Sequence, residues 1–166
     1  MLAAAGGGAD AVATAAQLVA MLEDPPRGSI DLRDGFHRRL PHWQRRAKQL
    51  QQRAGISGGT VDEDRLAPLL AAAFPDRIAR RRGDGGRYQL ANGSGATLEN
   101  DEALTRYEWL IVPALLQSGS QPDARILQAL PVTIDSLIRE VPTLVQQQTE
   151  VEWDEEKGTL RAWKRE

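Results

Sequence analysis

The first apolar stripe of the chain follows the spacing of an α-helix. It consists of Val12, Ala15, Ala16, Val19 and Leu22. Residues three and four positions apart share one helical face, and Asp10 just before them is a candidate N-cap. Two prolines after Asp24 end the stripe, because proline disfavours helical backbone in the residue before it. The pattern predicts an amphipathic helix.

Three more helical stripes precede position 75. The first predicts a short helix over Ile30–Leu40, capped by Ser29 or Asp31. The second has Trp43, Ala47, Leu50 and Ala54 on its apolar face and ends at Gly55. In the third, Thr60 is the expected N-cap, Glu63 completes a capping box, and the helix ends at Phe74.

The pattern changes from helix to strand after Pro75 and Asp76. A basic strand over Arg77–Arg82 is followed by a turn at Gly83–Gly86, a strand over Arg87–Ala91 and a turn at Asn92–Gly95. Glycine, asparagine and aspartate tolerate the positive φ angles of tight turns. The stretch therefore predicts a hairpin that joins a helical half to a strand-rich half.

The remaining apolar runs are short and predict more strands and one helix. The predicted strands are Glu108–Gln117, Arg125–Leu130, Leu144–Trp153 and Thr159–Lys164, and the helix is Thr133–Glu140. Short strands with Gly and Asn turns fit a small closed barrel better than a βαβ sheet. We predict an α+β fold: a helical region at 1–60, a connecting helix at 61–76, and an antiparallel OB-like barrel with one short helix at 77–166.

Composition bounds the class of protein. With 166 residues, 41% hydrophobic and 27% charged, the chain is long enough for one or two globular domains. It has no cysteine, which excludes disulfides and thiolate metal sites and fits a reducing cytosol. The Ala/Gly-rich start lacks a basic segment, so no signal peptide is predicted, and no apolar run approaches the length of a membrane span.

Charge is unevenly distributed although the net charge is only −2. Counting Lys and Arg as basic, Arg33–Arg53 has seven basic and one acidic residue, a net charge of +6. Arg77–Arg87 has five and one, a net charge of +4, while Glu150–Lys157 carries −4. The middle of the chain is basic and its end is acidic.

Catalytic patterns are absent from the sequence. It contains no Gly-rich P-loop with Lys and Ser/Thr for nucleotide phosphates and no DEAH or DExH sequence for Mg²⁺. His37 and His42 are five positions apart with Pro41 between them, which disfavours a shared metal ion and favours solvent-exposed positions. Ser94 is read as a turn residue because no neighbouring base is indicated. We predict no catalytic residue, no metal and no cofactor for this chain.

Several separated blocks resemble the C-terminal half of HrpB-type bacterial DEAH-box ATP-dependent RNA helicases. The blocks are LVAMLEDPPRGSIDL (18–32), AAFPDRIARRRG, GRYQLANGSGA, EWLIV (108–112) and VEWDEEKGTLRA (151–162). They occur in the family's order and cover nearly the whole chain.

The resemblance implies a fold and a role. Such helicases carry a helical "ratchet" region and an OB-fold at the exit of a single-stranded RNA channel, and separate motor domains bind ATP and Mg²⁺. The resemblance implies single-stranded RNA or DNA and the motor domains as partners, a cytoplasmic location, and no ATP hydrolysis by this chain alone. Since the family extends beyond both ends, we expect an expressed fragment or a truncated reading frame.

Candidate nucleic-acid contacts are the basic residues, because phosphate backbones attract clustered Arg and Lys. The helical candidates are Arg38, Arg39, Arg45, Arg46 and Lys48, and those of the hairpin are Arg80, Arg81, Arg82, Arg87 and Tyr88. Tyr88 is the candidate for base stacking or else barrel core, whereas Trp43, Trp109 and Trp153 are predicted to be core.

A second reading of the same residues remains open. The arginines of the basic strand can instead fasten the helical region to the barrel, and a solvated helix face is common where no aromatic stacking platform is present. In that case the chain is a structural or protein-interaction module, since OB barrels also bind proteins. Convergence of Arg38, Arg45, Arg80 and Arg82 on one concave face would favour nucleic acid.

Overall fold

A helical layer packs against one side of a small β-barrel in this protein. The structure, a computed structural model, describes residues 8–99, 102–117, 119, 121–142, 148–154 and 159–165. The α-helices in these ranges are α1 (Ala9–Glu23), α2 (Leu32–Arg38), α3 (Pro41–Arg53), α4 (Leu66–Ala73) and α5 (Ile134–Glu140). The strands are β1 (Ile78–Arg81), β2 (Arg87–Leu90), β3 (Gly95–Thr97), β4 (Trp109–Leu116), β5 (Ala124–Val132), β6 (Gln148–Asp154) and β7 (Thr159–Arg165).

Helix α1 is the centre of the helical layer. Ten of its fifteen residues are buried, including Ala15, Ala16 and Leu18. Its small side chains let other helices approach closely, and α3 packs along it with Trp43 buried between them. The Trp43 indole N–H donates to the carbonyl oxygen of Asp24 at 2.9 Å, so its polar atom is satisfied. The predicted core role of Trp43 is confirmed.

The barrel has five strands in the closed order β1-β2-β3-β5-β4. Neighbouring strands are antiparallel except β3 and β5, which are parallel. Alternation along β1 and β2 turns Ala79, Tyr88 and Leu90 into the barrel interior, where they pack with Ala96 of β3. This is the topology of an OB-fold, and the predicted α+β class with an OB-like barrel is confirmed.

Strands β4 and β5 carry the contact between the two layers. Leu110 faces the barrel interior, while the next residue, Ile111, points outward into the core of the helical layer. Leu130 and Val132 of β5 join the same helical core. The Ala129 N–H also donates to the Ile30 carbonyl oxygen at 2.9 Å, which fastens the start of α2 to β5.

Two predicted helix caps are wrong. Helix α1 begins after Gly8, and the Asp10 carboxylate instead accepts hydrogen bonds from Thr60, at 2.7 Å from its N–H and 3.0 Å from its hydroxyl. Thr60 therefore caps no helix, and the capping box with Glu63 does not form. Asp62 caps a 3₁₀ turn at Glu63–Arg65 through the Asp64 N–H. Asp31, one of the two alternatives, caps α2.

The later elements differ from the sequence prediction in arrangement. Strand β3 begins at Gly95, where only a turn was predicted, and a 3₁₀ turn at Ala103–Arg106 links it to β4. Helix α5 follows the last barrel strand and contacts α4 rather than lying between barrel strands. Strands β6 and β7 pair with each other in a separate two-stranded sheet, and the predicted strand start at Leu144 lies outside the described residues.

Candidate nucleic-acid interface

The basic candidates of the helical layer lie on its outer surface. Arg45 and Lys48 project from α3 into solvent. Arg46 instead forms a two-pronged ion pair with Glu23 of α1, at 2.6 Å from Nε and 2.8 Å from Nη2. This pairing lowers the pKa of Glu23. Arg46 thus joins α3 to α1, whereas Arg45 and Lys48 remain available to a ligand.

The end of α2 exposes two further cations. Arg38 is the last residue of the helix, and Arg39 follows it with φ of 43°, the left-handed conformation that ends many helices. Both side chains are exposed. The nearby histidines are also exposed, and each faces a carboxylate: His37 lies 3.5 Å from Glu63 and His42 3.2 Å from Asp24. Their predicted exposed positions are confirmed.

Both arginines of strand β1 make contacts within the protein. Arg80 lies opposite Trp109 on β4, with its guanidinium 5.4 Å from the centre of the indole ring and its Nε 3.2 Å from the Glu108 carboxylate. Arg81 donates to the carbonyl oxygen of Thr105 at 3.0 Å. These contacts hold β1 against β4 and the turn before it, within the barrel, and do not join the helical region to the barrel.

Tyr88 is a core residue, which corrects its selection as a stacking side chain. It is 1% exposed and lies inside the barrel. Its hydroxyl donates towards the carbonyl oxygens of Leu104 at 3.1 Å and Tyr107 at 2.9 Å, in and after the turn that closes this end of the barrel. Burial raises the pKa of this phenol. Its ring faces are not accessible to a base, because alternation turns this position of β2 inward.

The outer face of β2 and β3 holds a basic groove. Its lining consists of Arg82, Gly83, Arg87, Tyr88, Gly95 and Asp123, around a volume of about 400 Å³. Arg82 and Arg87 stand at the two ends of the β1–β2 turn and are joined by a backbone hydrogen bond of 2.8 Å. Both side chains are exposed, and neither has an ion pair with any described residue.

A third basic side chain at this face was missed by the sequence analysis. Arg125 of β5 lines an adjoining groove with Thr97, Leu98, Glu99 and Gln121, and its Nη2 lies 2.7 Å from the Glu99 carboxylate. Alternation with the buried Ala124 and Ile126 was the available signal, because it turns Arg125 outward. Pairing across β3 and β5 was not visible in the sequence, since these strands are parallel and far apart in the chain.

The ring of Tyr107 accepts cation–π contacts from two arginines, which the sequence did not indicate. The guanidinium of Arg33 lies 5.4 Å from its ring centre and that of Arg106 lies 5.0 Å from it. Both donate to the phenol oxygen, at 3.4 and 3.2 Å, which lowers the pKa of Tyr107. Arg33 is held in turn by the α2 cap, Asp31, at 2.6 Å. Arg33 thereby joins the helical layer to the barrel, whereas Arg106 contacts its own neighbour in the chain.

Sequence comparison finds a relative over nearly the whole chain. HrpB of Escherichia coli strain K12, described as an ATP-dependent RNA helicase, is 57% identical over 157 residues, which are 94% of this chain and 19% of that protein. A family profile for the connector region of the ATP-dependent RNA helicase HrpB matches residues 144–166. Over nearly its whole length this chain is therefore similar to one region of HrpB.

Solved HrpB structures share the fold. The crystal structure of the E. coli DExH-box NTPase HrpB superposes with a TM-score of 0.87 at 57% identity, covering 95% of this chain and 20% of that one. The crystal structure of the Escherichia coli DEAH/RHA helicase HrpB gives 0.82 at 49% identity, covering 96% and 20%. The chain thus spans about a fifth of its HrpB relatives, and the predicted resemblance to HrpB-type DEAH-box helicases is confirmed.

Two further observations concern metals and membranes. Among the described residues, no group of three or more His, Asp or Glu side chains is arranged to hold a metal ion. The helices described by the structure include none that is both long and apolar enough to cross a membrane.

Proposed function

We propose that this chain is an accessory nucleic-acid-binding region of an HrpB-type RNA helicase, which holds single-stranded RNA by backbone charge and supports an ATPase motor. The observation that carries the proposal is the β2–β3 groove with Arg82 and Arg87. In the described part of the chain these two cations have no anionic partner, so their charge is available to phosphates. Homology to helicases named for RNA makes RNA the expected polymer.

The architecture supports this position of the interface. OB-folds bind oligonucleotides on the face of strands 2 and 3 and between the β1–β2 and β4–β5 loops. Here the helical layer packs on β4 and β5, so the described helices do not cover the β2–β3 face. Arg82 belongs to the β1–β2 loop and Asp123 to the β4–β5 loop, so both loops line the groove.

Binding of this kind has little sequence preference. Tyr88 is buried, and the described outward positions of β2 and β3 carry Arg87, Gln89, Gly95 and Thr97, without an aromatic side chain. A base therefore finds no stacking platform on this face. The cations bind the phosphate backbone, which is the same for every sequence.

The rest of the proposal follows the resemblance to HrpB. ATP hydrolysis and its Mg²⁺ belong to motor domains that form the partners of this region, and the chain itself binds neither ATP nor a metal ion. Single-stranded DNA is a weaker partner through the same phosphate contacts. The proposed location is the cytoplasm, in keeping with the lack of cysteine.

The deciding experiment is a fluorescence anisotropy titration of labelled single-stranded RNA at several salt concentrations. We expect log K to fall linearly with log salt, because phosphate contacts release counterions. The Arg82→Ala/Arg87→Ala variant should bind more weakly and have a slope smaller by about 1.4, since each lost contact to a single strand contributes about 0.7.

A charge-matched variant separates the two basic groups. Arg45→Ala/Lys48→Ala also removes two exposed cations, but from α3. If the β2–β3 groove is the binding site, this variant keeps the slope of the unmodified chain. A loss confined to the α3 variant would move the interface to the helical layer, and absence of RNA binding at low salt would contradict the proposal.

A protein-interaction role is the second candidate, and one observation favours it. Leu116 and Leu127 on β4 and β5 are 53% and 41% exposed, whereas most large apolar side chains of the described residues are buried. Exposed apolar side chains on neighbouring strands are a common feature of protein contacts. In that case Leu116→Ser/Leu127→Ser would weaken association with HrpB motor domains, and RNA would not bind.

A further inference from the structure

The carboxylate of Asp123 lines the proposed binding groove beside Gly95. Gly95 opens β3, and its neighbour Ala96 faces the barrel interior, so the side-chain position of Gly95 points outward. A Cβ atom built on Gly95 would overlap the Asp123 carboxylate. The carboxylate of Asp123 therefore lies against the outer side of β3, in the space that a side chain at position 95 would fill.

This carboxylate has no counter-ion although cations line the same groove. Arg82 and Arg87 are both lining residues, yet neither forms an ion pair with Asp123 among the described residues. Asp123 is only partly exposed. A partly buried carboxylate without a partner disfavours a phosphate at that point, because like charges repel, but it is a strong acceptor for a neutral donor.

An RNA strand that is bound through its phosphates presents a neutral hydrogen-bond donor to this carboxylate. Tyr88 is the one aromatic residue that lines this groove, and its ring is buried in the barrel interior, where a base cannot stack on it. The sugar–phosphate backbone is therefore the part of the strand that Arg82 and Arg87 bring to the sheet. The ribose 2′-hydroxyl lies on that backbone and can donate a hydrogen bond, and it is absent from DNA.

We infer that Asp123 makes this groove selective for RNA over DNA by accepting a hydrogen bond from a ribose 2′-hydroxyl, while Arg82 and Arg87 in the same groove hold the neighbouring phosphates. The inference rests on the proposed function and adds a specificity-determining residue to it. Gly95 has a positioning role, because only glycine leaves room for the carboxylate on the sheet.

The test compares two labelled strands that differ only in the 2′-hydroxyl, oligouridine and oligodeoxyuridine of about twelve nucleotides. The unmodified 166-residue chain should bind the RNA about tenfold more tightly, the scale of one hydrogen bond to a charged acceptor. In Asp123→Ala the ratio of the two affinities should fall to about one, because RNA binding weakens while DNA loses a repulsive charge.

Three further variants separate the effect of the carboxylate's position from that of its charge. Gly95→Ala keeps the carboxylate but displaces it from the sheet, so the RNA/DNA ratio should fall as in Asp123→Ala. Asp84→Ala removes a negative charge from the adjacent β1–β2 turn and serves as the control, with both polymers bound slightly more tightly and the ratio unchanged. Asp123→Asn keeps the shape of the side chain in case the alanine variants fail to fold, and its ratio should lie between those of the unmodified chain and a ratio of one.

The outcomes distinguish the inference from the function on which it rests. Equal affinity of the unmodified chain for both polymers, or an unchanged ratio in folded Asp123→Ala and Asp123→Asn, overturns the role of Asp123 and leaves nucleic-acid binding intact. A parallel gain for both polymers in Asp123→Ala shows a purely electrostatic effect and also overturns it. Absence of binding to either polymer overturns the proposed function and this inference with it.

Discussion

At the scale of single residues, neighbouring arginines have different roles although their sequence context is alike. Arg80 stacks on Trp109 and pairs with Glu108, and Arg81 binds the Thr105 carbonyl oxygen. Arg82, the next residue, lines the open groove instead. Strand alternation and the end of β1 determine which partners each side chain can reach, so a run of cations is not by itself a binding site.

Tyr88 gives a prediction at this scale. Tyr88→Phe keeps the buried ring but removes the hydroxyl that donates to the carbonyl oxygens of Leu104 and Tyr107. We expect the free energy of unfolding to fall by about 1 kcal/mol, the net value of a hydrogen bond. Urea unfolding measures the change. RNA affinity should stay unchanged in this variant, and a stability equal to that of the unmodified chain would contradict the structural role of the hydroxyl.

Asp10 gives a prediction about pH. Two hydrogen bonds from Thr60 lower the pKa of Asp10 in the folded chain, so the folded state binds a proton less readily than the unfolded state. The resulting stabilisation is present above the unfolded pKa of about 4 and is lost as pH falls through the lower folded value. We expect the midpoint of urea unfolding to depend less on pH between about 5 and 3 in Asp10→Asn, which keeps the shape but cannot ionise. An unchanged pH dependence would contradict the assignment.

At the scale of elements, caps and short bridges hold the helices where the barrel needs them. Asp31 accepts from the Arg33 N–H at 2.9 Å as the N-cap of α2, and its backbone pairs with Ala129 of β5. Its carboxylate also orients the Arg33 guanidinium towards Tyr107. One residue thus begins a helix, joins it to a strand and positions a cation between the layers.

Asp31→Ala tests this combination. It removes the cap and the partner of Arg33, so we expect the free energy of unfolding to fall by about 1–2 kcal/mol. Asp31→Asn is the matched control, because an asparagine side chain still caps helices but has no charge for Arg33. Chemical denaturation of both variants separates the two contributions. A fall of equal size in Asp31→Asn would show that the ion pair dominates and the cap contributes little.

At the scale of the whole molecule, the two layers share strands rather than meeting at a linker. Adjacent residues of β4 serve both cores, with Leu110 in the barrel and Ile111 in the helical layer. Leu130 of β5 extends the same contact. Since neither core is complete without these strands, we expect the described layers to unfold together.

Ile111→Ala examines this coupling. The side chain is fully buried, so truncation should lower the free energy of unfolding by about 3 kcal/mol, whereas Ile111→Val should cost about 1 kcal/mol. Loss of helix, followed by far-ultraviolet circular dichroism, and the change in tryptophan fluorescence should give one shared midpoint in both variants. Separate midpoints would show that the helical layer unfolds independently of the barrel.

Local patterns in the sequence determined much of this fold. Helical spacing predicted α1, α3 and α4, and the basic hairpin was predicted within one residue at each strand end, because apolar periodicity and turn residues act over short distances. Asp10 and Thr60 were assigned wrong roles for the same reason. Fifty positions separate them in the chain, whereas a capping motif relates residues only three or four positions apart.

Only part of the candidate site could be predicted from the sequence. The sequence by itself established a helical region before an OB-like barrel, a basic hairpin and the resemblance to HrpB-type helicases. Tertiary structure decided that Arg80 and Arg81 are engaged, that Tyr88 is buried and that Asp123 rests on Gly95 beside Arg82. The reason is physical: composition and periodicity specify which face of an element a residue occupies, but only closure of the barrel brings strands distant in the chain against one another.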